Sequence, residues 1–344
     1  MHVKAPVHGR GAASSRQAGS PSDCLLQSMT PGELAGFYLN VILPIAFLVA
    51  AGGVWKHLRG SLAAETLRGE LGRLVINLFA PALVFSVVAS APVDRALFQV
   101  PLIVGLATLA GGGVLYLLLF VSPMGRSLAD TSRAALLLAG MFGNVLYFGL
   151  PLMSFLYGPT GDRYPLFADN LATSPLVWTL GVWVATRLGS HHREEGRGYW
   201  KTLLRLPPIW AFVISAACNA AHLPVVPLVR AARLVGAPTV PLMLMVVGLA
   251  VPWGNLRAPR AVWLVALVKL ILMPLIALGL VHLTAVPGGA PATAAVLEAA
   301  VPTMVLSVVL ADLFKLDVAM AALTLGISTL LSLLTLPIWI SILR

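Results

Sequence analysis

From about residue 34 to its end, the chain is a succession of long, nearly unbroken apolar runs separated by short polar or basic stretches. The runs are 18 to 25 residues long, and about 20 mostly apolar residues are what one helix needs to cross a bilayer. Barrel strands would alternate apolar and polar residues, and these runs do not. The pattern predicts ten spans, at 34–54, 71–91, 99–121, 134–157, 167–188, 207–224, 234–253, 261–283, 292–313 and 319–343. Pro207, Pro208, Pro224, Pro227, Pro238 and Pro241 crowd the sixth and seventh. Proline is tolerated in a membrane helix when neighbours satisfy the carbonyls it frees.

Two spans are interrupted in their interior. Gly143-Asn144 breaks the fourth, eight residues before Pro151, and Pro302-Thr303 breaks the ninth. The breaks follow Pro81 and Pro241 by 62 and 61 residues. Arg73-Leu74-Val75 and Arg233-Leu234-Val235 each precede their proline by eight, at an offset of 160, and Gly143 and Pro302 are offset by 159. These markers predict a duplication. Five spans per copy is an odd number, so the second copy must insert upside down. The expected fold is an all-α polytopic membrane protein of ten transmembrane helices. They form two inverted five-helix repeats with crossing broken helices four and nine. The expected organisation is a disordered polar tail (1–33), a first repeat (34–188), a cytoplasmic hinge loop (189–206) and a second repeat (207–344).

Composition agrees with this class: 58% of residues are hydrophobic and 10% charged, with a mean hydropathy of +0.90. The net charge of +10 reads as topology rather than nucleic-acid binding, because Lys and Arg gather in alternate short loops. Lys56, Arg59, Arg68, Arg73, Arg126, Arg133, Arg187, Arg193, Arg197, Lys201, Arg205, Arg257, Arg260 and Lys315 fall in loops facing away from the termini. Only Arg95, Arg163, Arg230, Arg233 and Arg344 fall on the terminal side outside the tail. This bias puts both termini outside the cytoplasm of a cell (inner or plasma) membrane. The tail has no apolar core of a signal peptide, so the first span serves as the insertion signal. Cys24 and Cys218 make no disulfide framework or metal spacing.

The candidate chemistry lies at the breaks. Asn144 brings a donor and an acceptor into the gap, and the half-helices beginning at Asn144 and Thr303 offer free N–H groups and positive dipole ends. If spans four and nine cross, Gly143, Asn144, Pro302 and Thr303 surround an anion site suited to a small carboxylate. The alternative is a plain kink with Asn144 bonded to a neighbouring helix. Asn77, four residues before Pro81, either meets the solute or bonds a freed carbonyl. Asn40 stands in the same relation to Pro44 and reads as packing, and Asn219 as structural. Lys269, deep in span eight, is a functional candidate; its alternatives are to snorkel or to pair with Asp312. Glu298, four residues before Pro302, either carries a coupling proton or sits in a watery vestibule. Asp169 and Asp312 fall at span edges, so no pair of adjacent intramembrane acids is visible. Thr173 and Ser174 read as backbone partners of the Pro175 turn. His191, His192, Glu194 and Glu195 lie in the basic loop without matching metal ligands elsewhere. The phosphate loop, the H-E-x-x-H zinc pair and the G-x-S-x-G nucleophile are missing from the sequence, which argues against an ATP motor or an enzyme and calls for no cofactor or metal.

Several of these segments resemble a known family. Gly72-Arg73-Leu74-Val75-Ile76-Asn77-Leu78-Phe79-Ala80-Pro81-Ala82-Leu83-Val84-Phe85 resembles the second span of the auxin efflux carriers. Gly143-Asn144, Gly149-Leu150-Pro151-Leu152 and Tyr157-Gly158 resemble the fourth, and Trp178 fits the fifth. Ala300-Val301-Pro302-Thr303 and Ser328-Thr329-Leu330-Leu331-Ser332-Leu333 resemble the ninth and tenth. The likeness covers about residues 35–343. It implies a transporter domain (spans three to five and eight to ten) moving against a scaffold (one, two, six and seven). It also implies homodimers, although no dimer motif stands out in the chain. Asn144 matches the solute-binding asparagine of the plant carriers, which export the auxin anion; bacterial members are described as malate or malonate permeases. Gly143 stands where plant members have proline and Val84 where they have serine, and the loop between halves is short, as in a compact bacterial-type member. The expected partners are the lipid bilayer and a small organic anion, a mono- or dicarboxylate such as malate or malonate. Two other readings stay open: an ion-coupled carrier of another solute class, and a membrane sensor that binds solute without transporting it.

Overall fold

The computed structural model describes residues 32, 35–36, 38–188, 207–254 and 258–343. Most of the polar tail with Cys24, the loop 189–206 with its histidines and glutamates, Arg257 and Arg344 lie outside the described residues. In chain order the helices are α1 (Tyr38–Arg59), α2 (Ser61–Val88), α3 (Ala96–Val121), α4 (Asp130–Met141), α5 (145–157), α6 (163–188), α7 (Pro207–Ala220), α8 (Val226–Ala250), α9 (Arg260–Leu283), α10 (Ala290–Ala300), α11 (Val305–Leu313) and α12 (Val318–Leu343). Among the described residues no strand forms beyond one isolated bridge. Six helices among the described residues (α1, α2, α3, α8, α9 and α12) are long and apolar enough to cross a membrane. α7 is apolar but shorter. The fourth and ninth apolar runs are each split, into α4 and α5 and into α10 and α11.

Helix edges differ most from the apolar pattern at α2 and α8. α2 begins at Ser61, because Ser61–Leu74 is helical with only Ala64 buried, and hydropathy alone does not see a polar-faced helix. α8 begins at Val226, eight residues ahead of the predicted span. Proline shapes the interior of several helices. The N–H groups of Ala80, Ser122, Ser174 and Met273 each reach back five residues, to Val75, Leu117, Asp169 and Val268. Each of these donors immediately precedes a proline. A proline ring crowds the carbonyl four residues back and cannot bond to it, and widening the turn by one residue moves that carbonyl aside. At Pro274 the freed carbonyl is that of Leu270, and the Trp339 indole of α12 donates to it at 2.9 Å.

The helices pack in two sets. α1, α2, α7 and α8 lie mainly against one another, and α3 to α6 lie mainly against α9 to α12. In the first set Gly52 of α1 and Gly248 of α8 bring two backbones into contact, since a Cβ on either would overlap the other helix's main chain. Asn219 of α7 holds the end of α2, its amide donating to the Val88 and Ala91 carbonyls at 2.9 and 2.7 Å. In the second set Met273 packs on Gly111 and Met141 on Gly112 of α3. Large apolar side chains such as Leu39, Phe47, Leu102, Trp263, Leu334 and Ile338 remain exposed, on helices whose solvent is lipid.

Candidate functional site: the crossing of two broken helices

α4 ends at Met141 because Phe142 is extended (φ −98°, ψ 120°). α10 ends at Ala300 because Val301 is extended (φ −63°, ψ 151°), as the residue before a proline prefers. The two extended segments pair antiparallel through Gly143 and Thr303. The Asn144 N–H donates to the Pro302 carbonyl at 2.7 Å, and the Met304 N–H to the Phe142 carbonyl at 2.9 Å. The breaks therefore satisfy each other's backbone deep in the protein, where water cannot.

Glycine at 143 is required by space. Its φ is not in the left-handed region, but a Cβ there would lie 2.7 Å from Lys269 Nζ and 2.9 Å from Val301 Cγ2. Lys269 comes from the widened turn of α9, is 2% exposed, and donates to the Ala299 carbonyl at 2.9 Å. A cation is favourable at the carbonyl end of a helix such as α10. Lys269 neither snorkels nor pairs with Asp312, which is exposed and ion-paired to Lys315 at 3.6 Å.

Thr303 is fully buried and committed to the crossing. Its hydroxyl donates to the Ala139 carbonyl at 2.9 Å, and its N–H donates to Ser328 Oγ of α12 at 3.1 Å. The N–H groups nearest each break are thus already bonded. Those that lead α5 and α11 beyond them, at Val145 and Leu146 and at Val305 and Leu306, have no carbonyl within their own helices. Asn144 is 1% exposed, and its side-chain amide nitrogen has no hydrogen-bond partner among the described residues. Asn77 lies apart from this centre: it is exposed and donates to the Arg73 carbonyl of its own helix at 2.8 Å. Asn40 does the same with Gly36 at 2.7 Å.

Glu298 is 1% exposed, and neither carboxyl oxygen has a hydrogen-bond partner among the described residues. It rests against Gly149 of α5, where a Cβ would overlap both oxygens. Asp169 lies six residues past the start of α6, accepts from Ser174 Oγ at 3.2 Å, and acts electrostatically on Glu298, as does Lys269. The structure thus gathers Gly143, Asn144, Pro302, Thr303, Lys269 and Glu298 around one crossing and adds Ser328 and Asp169. Ser328 was visible in the sequence only as part of the tenth-span motif. Asp169 was obscured because the helix holding it starts before its apolar run.

Comparison with known proteins agrees with this picture. Residues 37–340 match the family described as "Membrane transport protein". An uncharacterized transporter of Methanothermobacter thermautotrophicus is 29% identical over 87% of this chain and 96% of its own length. An uncharacterized transporter of Methanocaldococcus jannaschii is 24% identical over 88% and 97%.

Proposed function

The chain belongs to the membrane transport protein family, that of the auxin efflux carriers, and we propose that it carries a small organic anion, a mono- or dicarboxylate such as malate or malonate. The observation that carries this reading is the Gly143–Thr303 pairing of two broken helices, beside which lie the buried Asn144 amide nitrogen, which has no partner among the described residues, and the buried Lys269 ammonium. A carboxylate accepts hydrogen bonds and brings negative charge. An unsatisfied amide, the leading N–H groups of two half-helices and an ammonium are groups that would receive it.

In this reading ten helices form two inverted repeats, with α4–α5 and α10–α11 counting as one broken helix each. The offset of 160 supports it: Gly143 and Thr303, which face each other, are separated by the same 160 residues as Arg73 and Arg233. The two packing sets support an elevator-like mechanism, in which α3 to α6 and α9 to α12 shift with the anion against α1, α2, α7 and α8. The bias of Lys and Arg supports termini outside the cytoplasm.

The test is uptake of radiolabelled malonate and malate into proteoliposomes holding wild type or Asn144→Ala. Saturable uptake by wild type that Asn144→Ala abolishes supports the reading. Equal uptake by a folded Asn144→Ala protein would sink the assignment of the site, and no uptake of either acid by wild type would remove them as substrates.

A further inference from the structure

The crossing holds a buried acid that anion binding alone does not explain. In an ionised Glu298 neither carboxyl oxygen would have a donor among the described residues, and Gly149 presses on the group from α5. Such a charge is costly in an apolar interior. The ionisable groups that act on it come from two helices, Lys269 from α9 and Asp169 from α6, and Tyr147 of α5 interacts in turn with Asp169. Tyr157 of α5 is engaged with Thr293 of Glu298's own helix, oxygen to oxygen at 2.8 Å. The other helices packed on α10 add nothing: α12 has no ionisable side chain, and α3 only the exposed Tyr116.

Two of the carbonyls that could draw a metal cation are already taken by the protein. In broken-helix transporters, carbonyls at the C-terminal ends of half-helices coordinate the coupling cation. Here the Ala139 carbonyl is taken by the Thr303 hydroxyl and the Ala299 carbonyl by the Lys269 ammonium. Gly143 leaves the room in which Nζ sits.

We propose that Glu298 is the proton-binding site that couples anion movement to a proton, and that Lys269 is a tethered cation in the place a sodium ion would otherwise take. This rests on the carrier reading above. Lys269 touches Gly143 on one side and acts on Glu298 on the other. The ammonium acts on Glu298 through space, without a hydrogen bond to it, so an anion at Asn144 offsets that positive charge and the carboxylate takes up a proton from the side on which the anion entered. An O–H bond forms at a Glu298 oxygen as the anion binds and breaks as the anion leaves on the other side. One proton travels with each anion and cancels one unit of its charge while both cross the low-dielectric interior.

Infrared difference spectroscopy of the purified full chain between acid and alkaline pH, without added anion, tests the site independently of any substrate. Wild type should show a pH-dependent carboxylic C=O band in sodium or choline buffer alike, and Glu298→Gln should lose it. Asp169→Asn and Lys269→Leu remove a negative and a positive neighbour, so they should move the midpoint of that band in opposite senses. If Glu298→Gln does not fold, Glu298→Asp reports instead through a band displaced in frequency. A band that survives in Glu298→Gln, or a midpoint that sodium shifts, overturns the proposal. In proteoliposomes an acid-outside gradient should drive malonate uptake with or without sodium, and Glu298→Gln should lose that drive. Sodium-dependent uptake would also overturn it. Absence of malonate and malate transport alongside an intact Glu298 band would count against the choice of substrate and for the proton site.

Discussion

The Lys269 ammonium donates to the Ala299 carbonyl at 2.9 Å, where it occupies the room left by Gly143. Across the crossing, the Thr303 hydroxyl donates to the Ala139 carbonyl, also at 2.9 Å. Ala139 and Ala299 are 160 residues apart, and so are Gly143 and Thr303. Each broken helix therefore has its last-turn carbonyl capped. One cap is the threonine facing it across the crossing. The other is a lysine borrowed from α9, because the residue equivalent to the threonine is glycine.

That relationship predicts a rescue. Lys269→Leu leaves the Ala299 carbonyl buried without its donor, which should cost about 1–3 kcal/mol. Adding Gly143→Thr to that variant supplies a hydroxyl from the position equivalent to Thr303, in the room that the ammonium leaves, and requires the Val301 side chain, 2.9 Å from the new Cβ, to shift aside. The double variant should recover about 1 kcal/mol of the loss in thermal unfolding in detergent. It should not recover anion uptake, because the ammonium is gone. Additive destabilisation by the two changes would show that the two halves are not capped equivalently.

Thr303 itself should tolerate loss of its methyl but not of its hydroxyl. Thr303→Ser keeps the bond to Ala139, whereas Thr303→Val keeps the shape and orphans a buried carbonyl. The valine variant should be less stable than the serine variant by about 1–2 kcal/mol. Equal melting temperatures would mean that water or another donor replaces the hydroxyl.

The sequence reveals where the helices break but not what stabilises the breaks. Helix ends at Met141 and Ala300 fall within two residues of Gly143 and Pro302, because proline and a polar residue in an apolar run are local signals. That the two breaks cross was a condition of the anion-site reading and an implication of the family resemblance, whereas their main-chain pairing through Gly143 and Thr303 was not legible. The partner of Lys269 was not legible: the nearest acid by position, Asp312, is turned to Lys315, and the true acceptor is a main-chain carbonyl that no sequence pattern marks. Asp169 was placed at a span edge because Arg163, Asp169 and Asn170 lower the hydropathy where α6 in fact begins. The sequence marks Gly143 only as part of a break, whereas the structure shows that it makes room for an ammonium. Close approaches between helices depend on tertiary packing, which hydrophobic periodicity does not encode.

Asn144 separates function from stability. Its side-chain amide nitrogen is buried and bonds nothing among the described residues, while its main-chain N–H holds the crossing to Pro302. Asn144→Ala keeps the second and deletes the first. The melting temperature should therefore be unchanged or slightly higher, since an unsatisfied polar group is removed. Binding of the transported anion, measured by calorimetry or by ligand-induced thermal stabilisation, should be lost. Marked destabilisation of the variant would make Asn144 a structural strut.

Gly149→Ala tests the seat of Glu298 from the opposite side. A Cβ at 149 overlaps both carboxyl oxygens, and the acid is hemmed in. The change should destabilise the protein by about 1–3 kcal/mol, as overpacking a close-fitted interior does. In a Glu298→Ala background the same methyl enters vacated space, so its cost should fall to near zero. The coupling in this double-mutant cycle should approach the whole single-mutant effect. A cost that persists without the carboxyl would place the strain in the backbone of α5 and would mean that Gly149 serves that backbone rather than the acid beside it.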